Sequence, residues 1–366
     1  MAFRTWIKVG LATVAQGSGA LHILRRMGHP RVHIYGYHRV VADVETEGTH
    51  SMRQLCVSTA SFAAHLDHLA RNYEVWSIED AVALLNGERE SPRRDVAVVT
   101  FDDGYRDVLE HAAPLLAERG MPATVFVTSG VIDTGRPLPH DRLFALVRRA
   151  SNRGIRLLGS AVPDRLVWPM ARADQELGAG DPLGATDALL AALNSADADA
   201  VGDALALRLG EPDMSDLPAI ASWRDLERLV ESGFTIGAHG AAHCLLPLEN
   251  DDRLIEELAV PRAAIARYIG IPPSVIAYPG GRYDARVIDA ARAAGYVAAV
   301  TTEDRRNEPG CDVFRLGRKC LVEDHVRGDG GLPARALVAA QLDGLFATLG
   351  LARAVPGDRE METPWL

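Results

Sequence analysis

The chain has 366 residues, 48% of them hydrophobic, and a formal net charge of −10. That length holds one large domain or two small ones, with enough apolar residues for a packed core. The acidic balance, with a pI near 5.7, argues against nucleic acid as a partner, and none is expected.

Four cysteines, Cys56, Cys244, Cys311 and Cys320, are widely spaced and form no Cys-x-x-Cys pair. They read as reduced, mostly buried thiols rather than a disulfide framework. Residues 1–27 carry apolar Trp6, Ile7, Val9, Leu11, Val14, Leu21, Ile23 and Leu24, interrupted by Lys8 and Gln16 and broken by Gly17-Ser18-Gly19. No stretch reaches the ~20 apolar residues of a membrane span. No apolar core precedes a small-residue cleavage site. Residues 1–30 are therefore expected to form an amphipathic leader helix. Packing on the main body is its favoured fate, and peripheral membrane contact is the alternative. The expected address is cytoplasmic.

Arg31–Val40 alternates and is rich in β-formers, which predicts the first strand, with His38 at its end. A helix starts at Ser58–Phe62, with Phe62, Leu66 and Leu69 at helical spacing, and its His65 and His68 are expected to be exposed. A short strand over Tyr73–Ser77 and a helix over Ile78–Leu85, stopped near Asn86-Gly87, follow. Val96–Val99 then leads through Thr100-Phe101 into two adjacent carboxylates, Asp102 and Asp103, and Gly104. Apolar β-branched residues suit a buried strand, and glycine suits a sharp exit. Neighbours on an extended chain point opposite ways. One acid can thus face a metal while the other approaches substrate or holds a positive group. The same residues would equally make a turn capping the next helix. Val108–Arg119 reads as a helix closed by Gly120, and Ala123–Thr128 as a second buried strand, so the units are parallel βα repeats.

From Pro137 to Pro218 the rhythm changes. Leu143–Ala150 and Asp187–Leu209 have helical spacing, whereas Ala161–Asp181 looks irregular, and no titratable cluster stands out. This is expected to be a helical insertion over one face of a barrel. The βα pattern resumes with a helix capped by Ser222 and Asp225 and ended by Gly233, then a strand over Phe234–Ala238 that runs into His239. A helix over Leu254–Tyr268, a strand over Val275–Tyr278, a helix over Ala285–Ala294 and a strand over Tyr296–Thr301 complete it. A last helix, about Ala334–Leu349, and a polar tail form the segment 331–366.

His239-Gly-Ala-Ala-His243 follows a strand, as Asp102-Asp103 does, so both should open on the same rim. Two imidazoles and a carboxylate leave one position open on an ion, as a catalytic metal requires. Cys244 could add a fourth ligand, but core packing is the favoured reading. His22, His29 and His33 have no carboxylate at a recognisable spacing.

Together, Thr100-Phe101-Asp102-Asp103-Gly104-Tyr105, His239–His243 and Ala277-Tyr278-Pro279-Gly280-Gly281 resemble the motifs of the polysaccharide deacetylases, the carbohydrate esterase group that includes the nodulation chitooligosaccharide deacetylases. The first motif is highly specific, the third weaker. The resemblance covers roughly Arg31–Asn307. It implies an α/β fold, a distorted (β/α) barrel of about seven parallel strands over 31–330, with the helical insertion at about 137–218. It implies that Asp103, His239 and His243 hold a divalent metal, zinc first, with cobalt, nickel or iron as alternatives. Asp102 is then the base that takes a proton from water, and the backbone N–H of Gly280 receives the oxyanion.

Three positions depart from the family pattern. Gly240 replaces the usual Ser or Thr, which removes a loop-fixing hydrogen bond. Ala277 replaces the arginine that steadies the base, a task Arg282 or Arg318 could take. The late Leu-x-x-His-Asp motif that supplies the general acid is absent, and Tyr37-His38 fits the alternative used in one branch, with His325 as rival. The implied activity is metal-dependent removal of an N-acetyl group from an amino-sugar unit of a glycan or glycan precursor. A deformylase or O-deacetylase, or a non-catalytic carbohydrate-binding barrel, would carry the same fold.

Overall fold

The computed structural model describes residues 11–15, 17–18, 31–47, 51–159, 163–325 and 334–345. Its centre is a curled parallel sheet in the order β10–β1–β5–β6–β7–β8–β9. The strands are β1 (Val32–Tyr37), β5 (Val96–Phe101), β6 (Ala123–Val127), β7 (Phe234–Ala238), β8 (Val275–Ala277), β9 (Ala298–Val300) and β10 (Lys319–Cys320). A two-residue β4 (Glu74–Val75) pairs with the start of β5. The parallel βα units read from the sequence, and the distorted barrel that the family resemblance implies, are what form. β1 and β10 pair at Tyr35 and Lys319, and Val300 bridges Leu316 in parallel, so the 301–318 segment spans the gap between β9 and β10.

Period-two alternation divides the strands between two cores. Ile34, Val98, Phe126, Ala277, Val300 and Leu316 fill the inside of the curl. Tyr35, Val99, Val125, Ile236 and Ile276 face outward under the helices. The Ile78–Leu85 helix adds Ile78, Val82 and Leu85 to the inner cluster beside Val32, Val96 and Val275, and so closes the end where the strands begin. The opposite end stays polar. Gly237 leaves space for the Phe126 ring, with which a Cβ there would collide.

Several elements differ from expectation. The first strand ends at Tyr37, and after a bend at His38 the chain enters a separate parallel pair, β2 (Arg39–Val41) with β3 (Cys56–Ser58). The Val108–Arg119 helix begins with a π-helical turn, Val108–Ala112, before α-helix Ala113–Ala117. The stretch 161–181, expected to be irregular, contains the helix Asp164–Gly178, whose Leu166, Met170 and Ala173 make a short apolar stripe at helical spacing that Trp168 and Pro169 obscure. Asp187–Leu209 divides into helices Pro182–Leu190 and Ser195–Leu209, because Asn194 caps the second by accepting from the Asp197 N–H. With Pro139–Asn152, these helices form a cluster of their own around Leu146, Met170, Leu189 and Leu205.

Of the proposed leader, residues 11–15 are helical, and Ala12 and Ala15 pack on Leu337 and Ala340 of the helix Arg335–Leu342 and on Leu345 just after it; residues 1–10, 16, 19–30 and the tail 346–366 lie outside the described residues. No helix among the described residues is long and apolar enough to cross a membrane.

Gly237→Ala drives a methyl into the Phe126 ring. It is expected to lower stability by about 1–3 kcal/mol, the usual cost of overpacking, read as an earlier urea midpoint at unchanged slope. An unchanged midpoint would show that the interior repacks freely.

Candidate active site

The polar rim is built where β5 ends. Asp102 N–H still donates to Tyr37 O at 2.9 Å, but Asp103 turns left-handed at φ 73. The two acids diverge through that turn, not through strand alternation, since β5 stops at Phe101. Gly104, at φ 84, continues the turn against Val127.

Asp102 meets Arg318. The guanidinium donates through Nη1 to Oδ1 and through Nη2 to Oδ2, both at 2.6 Å, and its Nε donates to Thr301 O at 3.1 Å. Arg318 is 1% exposed, and Gly36 makes room for it, since a Cβ there would lie 3.1 Å from Arg318 Cδ. Burial alone would raise the Asp102 carboxyl, but Arg318, His239 and His38 together hold it below the ordinary carboxylate range. Arg318 thus stands where Ala277 left a need. His38, at the bend after β1, points Nε2 to within 4.0 Å of Asp102 Oδ2 and keeps a 21% exposed side chain.

Asp103 meets imidazoles. Its Oδ1 lies 3.5 Å from His239 Nε2 and 3.2 Å from His243 Nε2, and its Oδ2 lies 3.8 Å from the Nε2 of His140. The ligand-type atoms of Asp103, His140 and His243 all fall within 4.8 Å of one another. His239 donates from Nδ1 to Ala277 O at 2.8 Å, which leaves Nε2 free to face the acid. His243 is left-handed at φ 55 and Gly240 at φ 75, so the 239–243 segment converges as a tight loop, not as a helical turn.

Gly240 does not leave that loop loose. The Ala241 and Ala242 N–H groups donate to Glu257 Oε2 at 2.7 and 2.9 Å, and Arg253 pairs with Glu257 Oε1 at 2.7 Å. A Cβ at Gly240 would lie 2.9 Å from Glu257 Oε2, so the glycine and the buried carboxylate fit each other. From the β6 side, Ser129 N–H donates to Gly240 O at 3.2 Å and Gly130 N–H to Ala241 O at 2.9 Å.

The insertion supplies a residue that sequence patterning missed. His140 and Asp141 sit in the first turn of the Pro139–Asn152 helix. Tyr105 Oη lies 2.9 Å from His140 Nε2 and 2.8 Å from Asp141 Oδ2, and His140 Nδ1 lies 3.3 Å from His243 Nδ1. A Pro-His-Asp start to a helix soon after β6, on the same rim, was the available signal.

Gly280 is exposed in a left-handed turn, φ 61, after β8, beside Leu245. His325 closes a short turn, Glu323–His325, and its side chain lies outside the described residues, as do His22 and His29. Cys244 packs into the core. His65 and His68 are buried, not exposed, because Tyr37 Oη lies 3.1 Å from His65 and Asp343 lies 2.9 Å from His68. His33 does have a carboxylate, Asp95, at 3.1 Å.

The donors fit a divalent cation. Both Asp103 oxygens are buried with no hydrogen-bond donor, although imidazoles surround them. Burial would raise this carboxyl, yet His243 above all holds it well below the ordinary range. Burial pushes His239 down to about 4 and His140 to about 3, so that His239 is neutral with a lone pair to give. Burial also opposes charge on His243, but Asp103 prevails and raises it.

The polysaccharide deacetylase family model matches residues 89–160 and 180–299, skipping the whole of the Asp164–Gly178 helix. YxkH of Bacillus subtilis (strain 168), assigned as a polysaccharide deacetylase, is 35% identical over 78 residues, 21% of this chain and 28% of that relative's length. Among solved structures, IcaB from Ammonifex degensii superposes with a TM-score of 0.54 at 19% identity, over 86% of this chain and 98% of that one. The Streptococcus pyogenes deacetylase PplD in complex with acetate gives 0.53 at 18%, over 81% and 95%. At these identities both likenesses speak to the fold.

Arg318→Met strands a buried carboxylate. The metal-free variant is expected to lose about 3–5 kcal/mol at neutral pH. Wild-type Asp102, with its carboxyl depressed in the fold, gives stability that is present above the unfolded value, about 4, and lost as pH falls through the folded one. The deficit of the variant should therefore shrink in acid, where Asp102 takes a proton. A deficit constant from pH 7 to pH 3 in denaturant titrations would assign it to lost packing.

Proposed function

The chain belongs to the polysaccharide deacetylase family, and from that premise we propose that it is a metal-dependent hydrolase removing an N-acetyl group from an amino-sugar unit of a glycan or glycan precursor. The observation that carries this is the pair of buried carboxylates with opposite company: Asp102 clamped by a guanidinium, Asp103 open to imidazoles with both oxygens unsatisfied. The acetate held by the PplD neighbour favours acetyl as the acyl group.

In this proposal Asp103, His239 and His243 hold the divalent metal, zinc by the family resemblance. When bound, such an ion supplies an acidified water and a Lewis acid for the acetamide carbonyl. The residues do the remainder. Asp102 takes the proton of the attacking water, and Arg318 keeps it ionised and oriented. The Gly280 N–H, in a turn that needs no Cβ, faces the oxygen on which negative charge develops. His38, within reach of Asp102 and partly exposed at the mouth, gives a proton to the departing amine. General acid–base steps of this kind contribute about 10²–10⁴-fold each.

The test combines metal analysis with release of acetate and free amine from N-acetylglucosamine oligomers. The wild-type protein is expected to release acetate, to stop on chelation and to recover with zinc or cobalt. Asp103→Asn should lose both metal and turnover. Asp102→Asn should keep its metal and lose at least about 10²-fold in kcat. His38→Ala with bound metal and full kcat would remove His38 from the mechanism. Formate in place of acetate would make the protein a deformylase, acetate released from esters alone an O-deacetylase, and bound metal without any acyl release a carbohydrate-binding barrel.

A further inference from the structure

We propose that His140, Tyr105 and Asp141 form a hydrogen-bonded chain that fixes the ring orientation and tautomer of His243, so that the helical insertion completes the metal site from behind its ligands. This rests on the proposal that Asp103, His239 and His243 hold the ion.

Distance alone does not separate ligands from supports, since Asp103, His243 and His140 all lie within 4.8 Å of one another; the partners of each imidazole do. Two ligands of a tetrahedral ion at 2.0–2.1 Å lie about 3.3 Å apart. The separations of 3.5 and 3.2 Å from Asp103 Oδ1 to His239 Nε2 and His243 Nε2 match that edge. His140 is engaged elsewhere: its Nε2 is 2.9 Å from Tyr105 Oη, and its Nδ1 is 3.3 Å from the nitrogen of His243 that faces away from Asp103.

Proton bookkeeping then has one consistent solution. His243 gives a lone pair at Nε2, so its proton is on Nδ1 and needs an acceptor. His140 Nδ1 accepts it. The His140 proton is then on Nε2 and is donated to Tyr105 Oη, and the Tyr105 O–H is donated to Asp141 Oδ2 at 2.8 Å. Every donor is matched, and the chain ends on the Asp141 side chain. His239 receives the equivalent support from Ala277 O. Each imidazole thus has its own orienting acceptor, a backbone carbonyl for one and a side-chain relay for the other.

Both ends of the insertion hold the relay in place. His140 and Asp141 come from its first helix, where an acid suits the helix N-terminus. At its far end, Arg106 N–H donates to Ala219 O and Ala221 N–H donates to Gly104 O, both at 2.9 Å, which clamps the backbone on either side of Tyr105.

Zinc affinity of the full chain, measured by competition with a chromophoric chelator, tests this, with X-ray absorption counting imidazoles on the ion. Tyr105→Phe and His140→Leu are expected to weaken zinc binding by about 10–100-fold, as loss of an orienting partner does. His140→Gln, whose amide oxygen can accept from His243, should recover part of that loss. The double variant Tyr105→Phe with His140→Leu should be no weaker than His140→Leu alone, because the two act in series. The ion should carry two imidazoles in the wild type and in His140→Leu alike. Melting temperatures of the metal-free variants control for folding, and should Tyr105→Phe fail to fold, the His140 pair carries the comparison. Tyr105→Phe and His140→Leu both at wild-type affinity would overturn the relay, as would a third imidazole on the wild-type ion. A wild-type protein that binds no divalent metal would instead overturn the metal site itself.

Discussion

Two buried carboxylates side by side cannot both stay ionised unless each is separately compensated. Asp102 and Asp103 are 2% and 1% exposed, and much of the surrounding structure is arranged around that constraint. A fixed guanidinium answers the first. Imidazoles, which can hold a cation without carrying charge themselves, answer the second. The left-handed turn at Asp103 keeps the two solutions apart, so that Arg318 and the histidines approach from different sides.

That arrangement costs conformational energy, which neighbouring contacts must offset. Asp103 and His243 both occupy a backbone region that L residues avoid, at about 1–2 kcal/mol each. The loop that carries His243 is not left to hold itself. Val127 O accepts from the His239 N–H at 2.9 Å, Gly130 grips the loop carbonyl of Ala241, and Glu257 grips two of its amides. A backbone fixed by several bonds at once can retain strain where a single bond could not. Precision at the rim therefore comes from backbone bonds to the neighbouring strand ends and from one buried carboxylate on the helix Asp251–Ile269.

The barrel was largely legible because its signals are local. Apolar strands, glycine stops and capped helices repeat with a short period, and acid and histidine motifs placed directly after strands must share a rim. Burial of His65 and His68 was not legible, since it depends on Tyr37 and on Asp343, hundreds of residues away for the latter. Arg318 could be named as a candidate but not chosen, since it reaches Asp102 across 216 residues from a segment without periodicity. Nothing in the local sequence sets Glu257 apart from the charges of an exposed helix face, although it is fully buried. His140 sat in a segment judged by the pattern it lacked, and no periodicity links a helix start in an insertion to a loop over a hundred residues later.

The two departures from the family motifs that looked most damaging have the same physical resolution. Ala277 gives no charge to Asp102, and Gly240 gives no hydroxyl to the 239–243 loop. A guanidinium entering over Gly36 supplies the first need, and a carboxylate rising from the helix Asp251–Ile269 supplies the second. In both cases the position that lost its side chain is matched by a partner that would collide with a bulkier neighbour: a Cβ on Gly36 crowds Arg318, and a Cβ on Gly240 crowds Glu257. What the site requires is a positive charge on Asp102 and an acceptor under the loop, at fixed points in space. The chain position that delivers each is free to move, provided small residues open the path.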